Sequence, residues 1–169
     1  LDFSFLLILQ ILLRGISQLF LVENARVGLV VLIAITLCSR ISAVAAILGS
    51  GVGTLTAMAL GADGYSVYLG LFGYNGFVTA IAIAGVFVRY SFKSLVLGTL
   101  AAGLTSLFAL GLQSSFDVVG IPILTLPFCF VTVAIILFTK MSNMFEVVEI
   151  TAVTRPEDHR ERDIEDNTR

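Results

Sequence analysis

The chain has 169 residues, 57% hydrophobic and 13% charged, with a formal net charge of -2 and a mean hydropathy of +1.01. That hydropathy lies well outside the soluble globular range, so a soluble domain is excluded and an integral membrane protein is implied. The charge balance gives no basic face for a nucleic acid, and no nucleic-acid partner is expected.

In chain order, residues 3–22 are apolar apart from Gln10, Arg14, Gln18 and two serines, and 27–39 form a shorter apolar run ending before Arg40. The runs 41–60, 65–88, 94–116 and 118–139 carry no charge, with Asp117 between the last two. Each is about the ~20 residues needed to span hydrocarbon, so five or six membrane segments are predicted, with partial spans among the short ones. The runs are continuous and lack the in-out alternation of barrel strands, so the predicted class is all-α, a polytopic helical membrane protein. Gly49, Gly51 and Gly53, and the pair Gly98 and Gly103, offer flat faces for close helix packing. Cys38 and Cys129 read as small buried core residues rather than a disulfide or metal pair.

Three polar interruptions stand out. In LRGISQLFLVEN at 13–24, Arg14 and Gln18 are four apart and share one helical face. They face either a cavity or partner, or else Arg14 snorkels near a helix end beside an incidental glutamine. In LGLFGYNG at 69–76, glycines flank Tyr74 and Asn75 at mid-span. This reads as a break or bend there, with Tyr74 offering a flat ring and Val78 an apolar wall, or as plain packing through small residues. In IPILTLPF at 121–128, Pro122 and Pro127 each remove a donor and disfavour helix at the preceding residue, with Thr125 between them. A broken helix with loose carbonyls at bilayer depth is one outcome; an ordinary proline kink is the other.

From Met144 onward acidic and arginine residues intermix, so residues 1–143 are expected to form the membrane domain and 144–169 an acidic, disordered, solvated tail. Arg89 and Lys93 vote for the cytoplasmic side of their loop. Lys140 joins them there if 94–139 crosses twice, and faces the other side if it crosses once. The chain starts with Leu, and no basic n-region with a cleavage site supports a signal peptide; a missing amino-terminal part of a longer protein is expected.

Together the three motifs resemble the urea transporters. The signature Leu-Pro-x-x-Thr-x-Pro-Phe is matched from Ile121 to Phe128 with Ile121 the one departure. GLFGYN at 70–75, TAIAIAGVF at 79–87, RGISQ at 14–18 and Asn24 with Gly28 follow the family's landmarks in order, with Ala25 where a proline is common. The resemblance covers about residues 12–140. It implies a homotrimer with a channel-like urea path in each protomer, built from two halves of inverted orientation with short or broken pore helices. It also implies roles: Gln18 as the polar side chain at a slot, Leu19 and Leu21 as apolar walls, Tyr74 as a ring over the solute, Val78 as its aliphatic neighbour and Thr125 as the central hydroxyl.

Each landmark occurs once, so the chain corresponds to one inverted-repeat half, resembling the carboxyl-terminal one. A second half or an inverted copy is needed to complete a pore. Catalysis is not suggested: the single histidine, His159, lies in the tail, which leaves no intramembrane His-based metal site or triad. No nucleotide motif indicates a pump, and neither a metal nor a cofactor is expected. The reading is passive flux of urea or a small amide through an integral membrane protein among membrane lipid, in the plasma membrane, or the inner membrane of a bacterium. A channel for ammonia, other amides or water, and a non-conducting half-channel with an interaction tail, are the alternatives.

Overall fold

The computed structural model describes residues 5–118, 120–142, 144–148 and 155–158. Its elements are helical: α1 (Phe5–Ser17), continued by a 3-10 turn (Gln18–Phe20), α2 (Ala25–Cys38), α3 (Arg40–Ala59), α4 (Gly64–Leu69), α5 (Leu71–Ile81) running into a π turn (Ala82–Val86), α6 (Phe92–Phe116) and α7 (Leu126–Ser142). Helices α3 and α6 are each long and apolar enough to cross a bilayer, and α1 with its 3-10 turn meets α2 at a 77° bend, a pair with the length and composition of a broken span or a re-entrant loop.

Helix starts follow local chemistry. Polar side chains in the connections satisfy amide groups that a first turn leaves unpaired. Asn24 accepts from the Arg26 amide at 2.9 Å, Ser39 from Ser42 at 2.9 Å and Asp63 from Ser66 at 2.9 Å. Ser91 and Ser94 bond reciprocally at the start of α6. Ala25 occupies the first position of α2, a place where proline also fits because its missing N–H has no intrahelical partner there.

Two apolar runs are not single helices. The run 65–88 divides at Gly70, whose φ of 82° suits a residue without a Cβ. The break therefore lies one turn before Tyr74 and Asn75, which sit inside α5 with the Tyr74 amide bonded to the Gly70 carbonyl at 3.0 Å. The run 118–139 divides as well: α6 ends at Phe116 and α7 begins at Leu126. Pro122 lies in the non-helical connection and Pro127 is the second residue of α7, where a missing donor costs little.

Helices α3, α5 and α6 pack as the centre of the bundle, with α1 and α2 on one side and α7 on the other. Small residues set the spacing. A Cβ on Gly49 would meet the Gly76 carbonyl oxygen at 2.5 Å, one on Gly53 the Phe72 carbonyl oxygen at 2.9 Å, and one on Gly98 the Ala80 carbonyl oxygen at 2.9 Å. Gly51 is different: the nearest atom is Leu12 Cδ2 at 3.7 Å, so it takes no part in the close approach. Cys38 and Cys129 are free and exposed, contrary to the core placement suggested by their apolar surroundings. Exposure is compatible with apolar neighbours because lipid can cover this surface.

One end of the bundle gathers the basic residues. The Arg89 amide donates to the Glu146 carbonyl at 2.8 Å and the Val148 amide to the Phe87 carbonyl at 2.9 Å, and the Arg89 guanidinium pairs with the Glu146 carboxylate at 2.6 Å. The chain therefore leaves along α6 and returns along α7, which puts Lys140 at the same end as Arg89 and Lys93. Glu157 accepts from the Ser39 hydroxyl at 3.0 Å and from the Ile41 amide at 3.1 Å. Pro156 lies against Gly85 in the π turn. These contacts involve 144–148 and 155–158; the remainder of the expected solvated tail lies outside the described residues.

Candidate functional site

Two breaks in the helices meet midway along the bundle. Helix α1 ends beside the centre of α3: a Cβ on Gly15 would touch Ser50 Oγ at 2.8 Å and Gly73 Cα at 3.2 Å, and Ser50 Oγ donates to the Leu12 carbonyl at 3.1 Å. After the 3-10 turn, Leu21 takes a left-handed conformation (φ 55°) with its amide bonded to the Gln18 carbonyl at 2.9 Å. Gly70 packs directly on Gly15 and the Arg14 carbonyl carbon. A side chain at either glycine would separate the α1 terminus from the α4–α5 junction.

Arg14 and Gln18 lock this junction. Arg14 Nη1 donates to the Tyr68 carbonyl at 3.3 Å, and its guanidinium lies 3.8 Å from the centre of the Tyr68 ring, a favourable cation–π distance. Gln18 Nε2 donates to the Leu69 carbonyl at 3.0 Å. Both carbonyls belong to the last turn of α4, which lacks intrahelical donors. The shared face of Arg14 and Gln18 thus meets a protein partner, and Arg14 does not snorkel away from it.

The second break is the connection 117–125. Leu124 is left-handed (φ 42°), and its carbonyl accepts from Asn75 Nδ2 at 3.2 Å. Asn75 neighbours Gly76, which contacts Gly49 near the middle of α3, so the connection dips from Asp117 to the depth of the bundle centre. Non-helical backbone at this depth is tolerated only where protein buries it or where it lines a cavity. The Ile123 carbonyl accepts from the Leu126 amide at 3.1 Å and the Thr125 carbonyl from the Cys129 amide at 3.0 Å. Among the described residues, the carbonyls of Ile121 and Pro122 accept no hydrogen bond. The Thr125 carbonyl is thus engaged in α7, and carbonyls without a bond lie earlier in the connection.

Between the breaks lies a cleft of about 210 Å³. Gln18, Leu21, Tyr74 and Pro122, four of the residues selected from sequence, line it, as do Leu71, Phe72, Asn75, Ala109, Gln113, Asp117, Ile123 and Leu124. Thr125 follows Leu124 in the chain and is not among the lining residues. Val78 packs behind Tyr74 in a cluster with Ile16, Ala46 and Phe77, Leu19 is an exposed apolar residue, and Pro127 is buried at the start of α7. Gln113 and Asp117 gave no signal of their own in the sequence, because only the fold of the 117–125 connection brings the end of α6 to Gln18. Asn75 was visible there as a mid-span amide and nothing more specific.

The walls of the cleft are largely apolar, and its polar groups are of both kinds: the Asp117 carboxylate and amide oxygens accept, while the Tyr74 hydroxyl and the Gln113 side-chain nitrogen can donate. A carbonyl oxygen cannot donate, so the nitrogen of Gln18 must face Leu69 and its Oε1 is the atom left for the cleft. Such a site suits a small polar solute that both donates and accepts hydrogen bonds.

A sequence model of the family described as "Urea transporter" matches residues 4–140. Urea transporter 1 of sheep (Ovis aries) and that of goat (Capra hircus) are each 31% identical to this chain over 159 residues, covering 94% of the chain and 41% of the relative. Urea transporter 1 of mouse (Mus musculus) is 29% identical with the same coverage. The chain thus spans about two fifths of the length of the curated relatives it matches. With its apolar helices and the matched motifs, the chain is an integral membrane protein that belongs to the urea transporter family.

Proposed function

We propose that this chain forms one half of a passive channel for urea. The observation that carries the reading is the non-helical connection 117–125, held at the depth of the bundle centre by Asn75 and opening main-chain oxygens beside an apolar cleft. Urea has four N–H donors and one carbonyl acceptor on a planar frame. Its donors lose water on entering a bilayer, and each unpaired donor costs free energy unless an acceptor replaces the water. Gln18 Oε1 and the carbonyl of Pro122 supply acceptors. Leu21, Phe72 and Tyr74 supply flat or apolar walls, and Thr125, next to Leu124 of the lining, supplies a hydroxyl.

A companion half closes the pore: either a second repeat or an inverted copy of this chain facing Leu19, Leu21 and Leu124, which are exposed here. Three such pores form a homotrimer in the plasma membrane. Flux is downhill, because acceptor-lined walls bind the solute weakly at several points and no energy-coupling motif accompanies them.

Stopped-flow light scattering on vesicles carrying the assembled channel tests the reading. Urea permeability is expected to exceed that of empty vesicles and to fall roughly tenfold in Thr125→Val, the effect of one lost neutral hydrogen bond. Permeability equal to that of empty vesicles contradicts it.

A further inference from the structure

Arg14 is the charged residue of α1, and it stands at the bundle centre, where the adjoining Gly15 packs on Ser50 and Gly73. At that depth an ionised side chain is costly and points to a function. Its partners are dipoles: the Tyr68 carbonyl at 3.3 Å and the Tyr68 ring, whose centre lies 3.8 Å away. Nε is buried with no hydrogen-bond partner. A carbonyl or a ring stabilises a cation but carries no net charge, so the guanidinium is held without being neutralised.

Among the described residues no carboxylate pairs with it. Asp63 begins α4 at the end away from Tyr68 and is engaged by Ser66, and α5 carries no charge. Glu23 and Asp117 are exposed, where water and salt screen their fields. The charge also stands close behind the cleft wall. Gln18 lines the cleft and bonds the Leu69 carbonyl at 3.0 Å, next in the chain to the carbonyl that Arg14 holds. With neighbouring residues about 4 Å apart, the guanidinium lies within roughly 10 Å of the Gln18 amide. At an effective dielectric constant of about 20, a unit charge at that distance disfavours another of like sign by roughly tenfold and leaves a neutral molecule unaffected.

Building on the urea-channel reading, we propose that Arg14 is a specificity-determining residue that keeps cations out of the solute path by its field, without touching the solute. Fixed charges of this kind let a pore pass neutral molecules and reject ions of similar size. The competitor that isolates charge is guanidinium, which has the flat three-armed frame of urea with nitrogen in place of oxygen and one positive charge.

The experiment measures guanidinium, urea and acetamide permeabilities of vesicles carrying the assembled channel, unaltered and as Arg14→Gln and Arg14→Lys. Glutamine keeps a donor for the Tyr68 carbonyl and removes the charge, whereas lysine keeps the charge and removes the planar fork. The guanidinium-to-urea ratio is expected to rise about tenfold in Arg14→Gln and to keep its original value in Arg14→Lys, with the acetamide-to-urea ratio constant throughout. An unchanged guanidinium-to-urea ratio in Arg14→Gln, the result if a carboxylate of the companion half neutralises Arg14, overturns the proposal. A rise shared by acetamide or by Arg14→Lys overturns it too, because it marks a loosened junction. Failure of Arg14→Gln to assemble leaves Arg14 a tether and has the same meaning. Guanidinium passing the unaltered channel as readily as urea overturns the proposal without any variant. Absence of urea flux in the unaltered channel would instead remove the urea reading itself.

Discussion

The side-chain nitrogen of Gln18 lies 3.0 Å from the carbonyl oxygen of Leu69, and that one contact decides which end of the amide faces the cleft. One turn earlier, Arg14 holds the Tyr68 carbonyl in the same way. The last turn of α4 and the end of α1 are therefore a single unit. Replacing Gln18 by Leu removes both the tether and the cleft acceptor: stability should drop by about 1 kcal/mol and urea flux by roughly tenfold. Arg14→Leu removes a tether and a ring contact but no cleft acceptor. Its thermal unfolding midpoint in detergent should fall while the urea-to-acetamide ratio is kept; a changed ratio would argue against this division of labour.

The approach of α3 to α5 predicts a sharp difference between two glycines on the same helix. At Gly49 a Cβ would lie 2.5 Å from both the Gly76 carbonyl oxygen and Ala80 Cβ, whereas at Gly51 the nearest atom is 3.7 Å away. Gly49→Val should destabilise by about 1–3 kcal/mol or prevent assembly, as overpacking does. Gly51→Ala should leave the unfolding midpoint unchanged. Equal effects of the two substitutions would contradict the helix register.

Orientation follows from where the fold gathers charge. Arg40, Arg89, Lys93 and Lys140 share an end with Glu146 and Glu157, whereas Asp63 and Asp117 lie at the far ends of α3 and α6. By the positive-inside rule the basic end is expected on the cytoplasmic side. In a background with Cys38 and Cys129 changed to serine, a membrane-impermeant maleimide applied to intact cells should label Asp63→Cys and spare Lys93→Cys. The opposite pattern would reverse the assignment.

Glu157 makes docking of 155–158 sensitive to acid. Burial by itself raises its carboxyl, but bonds from the Ile41 amide, the Ser39 hydroxyl and nearby backbone groups outweigh burial and leave it below its ordinary value. A group depressed in the docked state contributes fully above its undocked pKa, about 4.3 for glutamate. That contribution is lost as pH falls through the lower docked value. Hydrogen exchange at the Ile41 amide should show protection at neutral pH that disappears on acidification. Glu157→Gln should flatten this profile; equal pH dependence in both proteins would remove the assignment.

Much of this organisation is legible in the residues, and the remainder depends on long-range contacts. Uncharged runs locate α3 and α6 to within a few residues because only length and apolarity matter for a span. Pro122 and Pro127 announce the break before α7 because a missing donor acts locally. Gly70 could not be singled out among Gly70, Gly73 and Gly76, since its distinction is contact with Gly15, far away in the chain. The left-handed Leu124 depends on Asn75 in the same manner. Local propensity could not show that Gln113 and Asp117 meet Gln18 across the cleft, or that Glu157 reaches Ser39.

The most direct measurement is thiol accessibility along the connection that leaves helical geometry. With Cys38 and Cys129 replaced by serine, Ile121→Cys and Ile123→Cys should react with a small water-soluble methanethiosulfonate in membranes, and urea should slow the reaction at Ile123→Cys. Thiols that remain unreactive, or that react at a rate indifferent to urea, would contradict an aqueous, urea-occupied path beside residues 121–125.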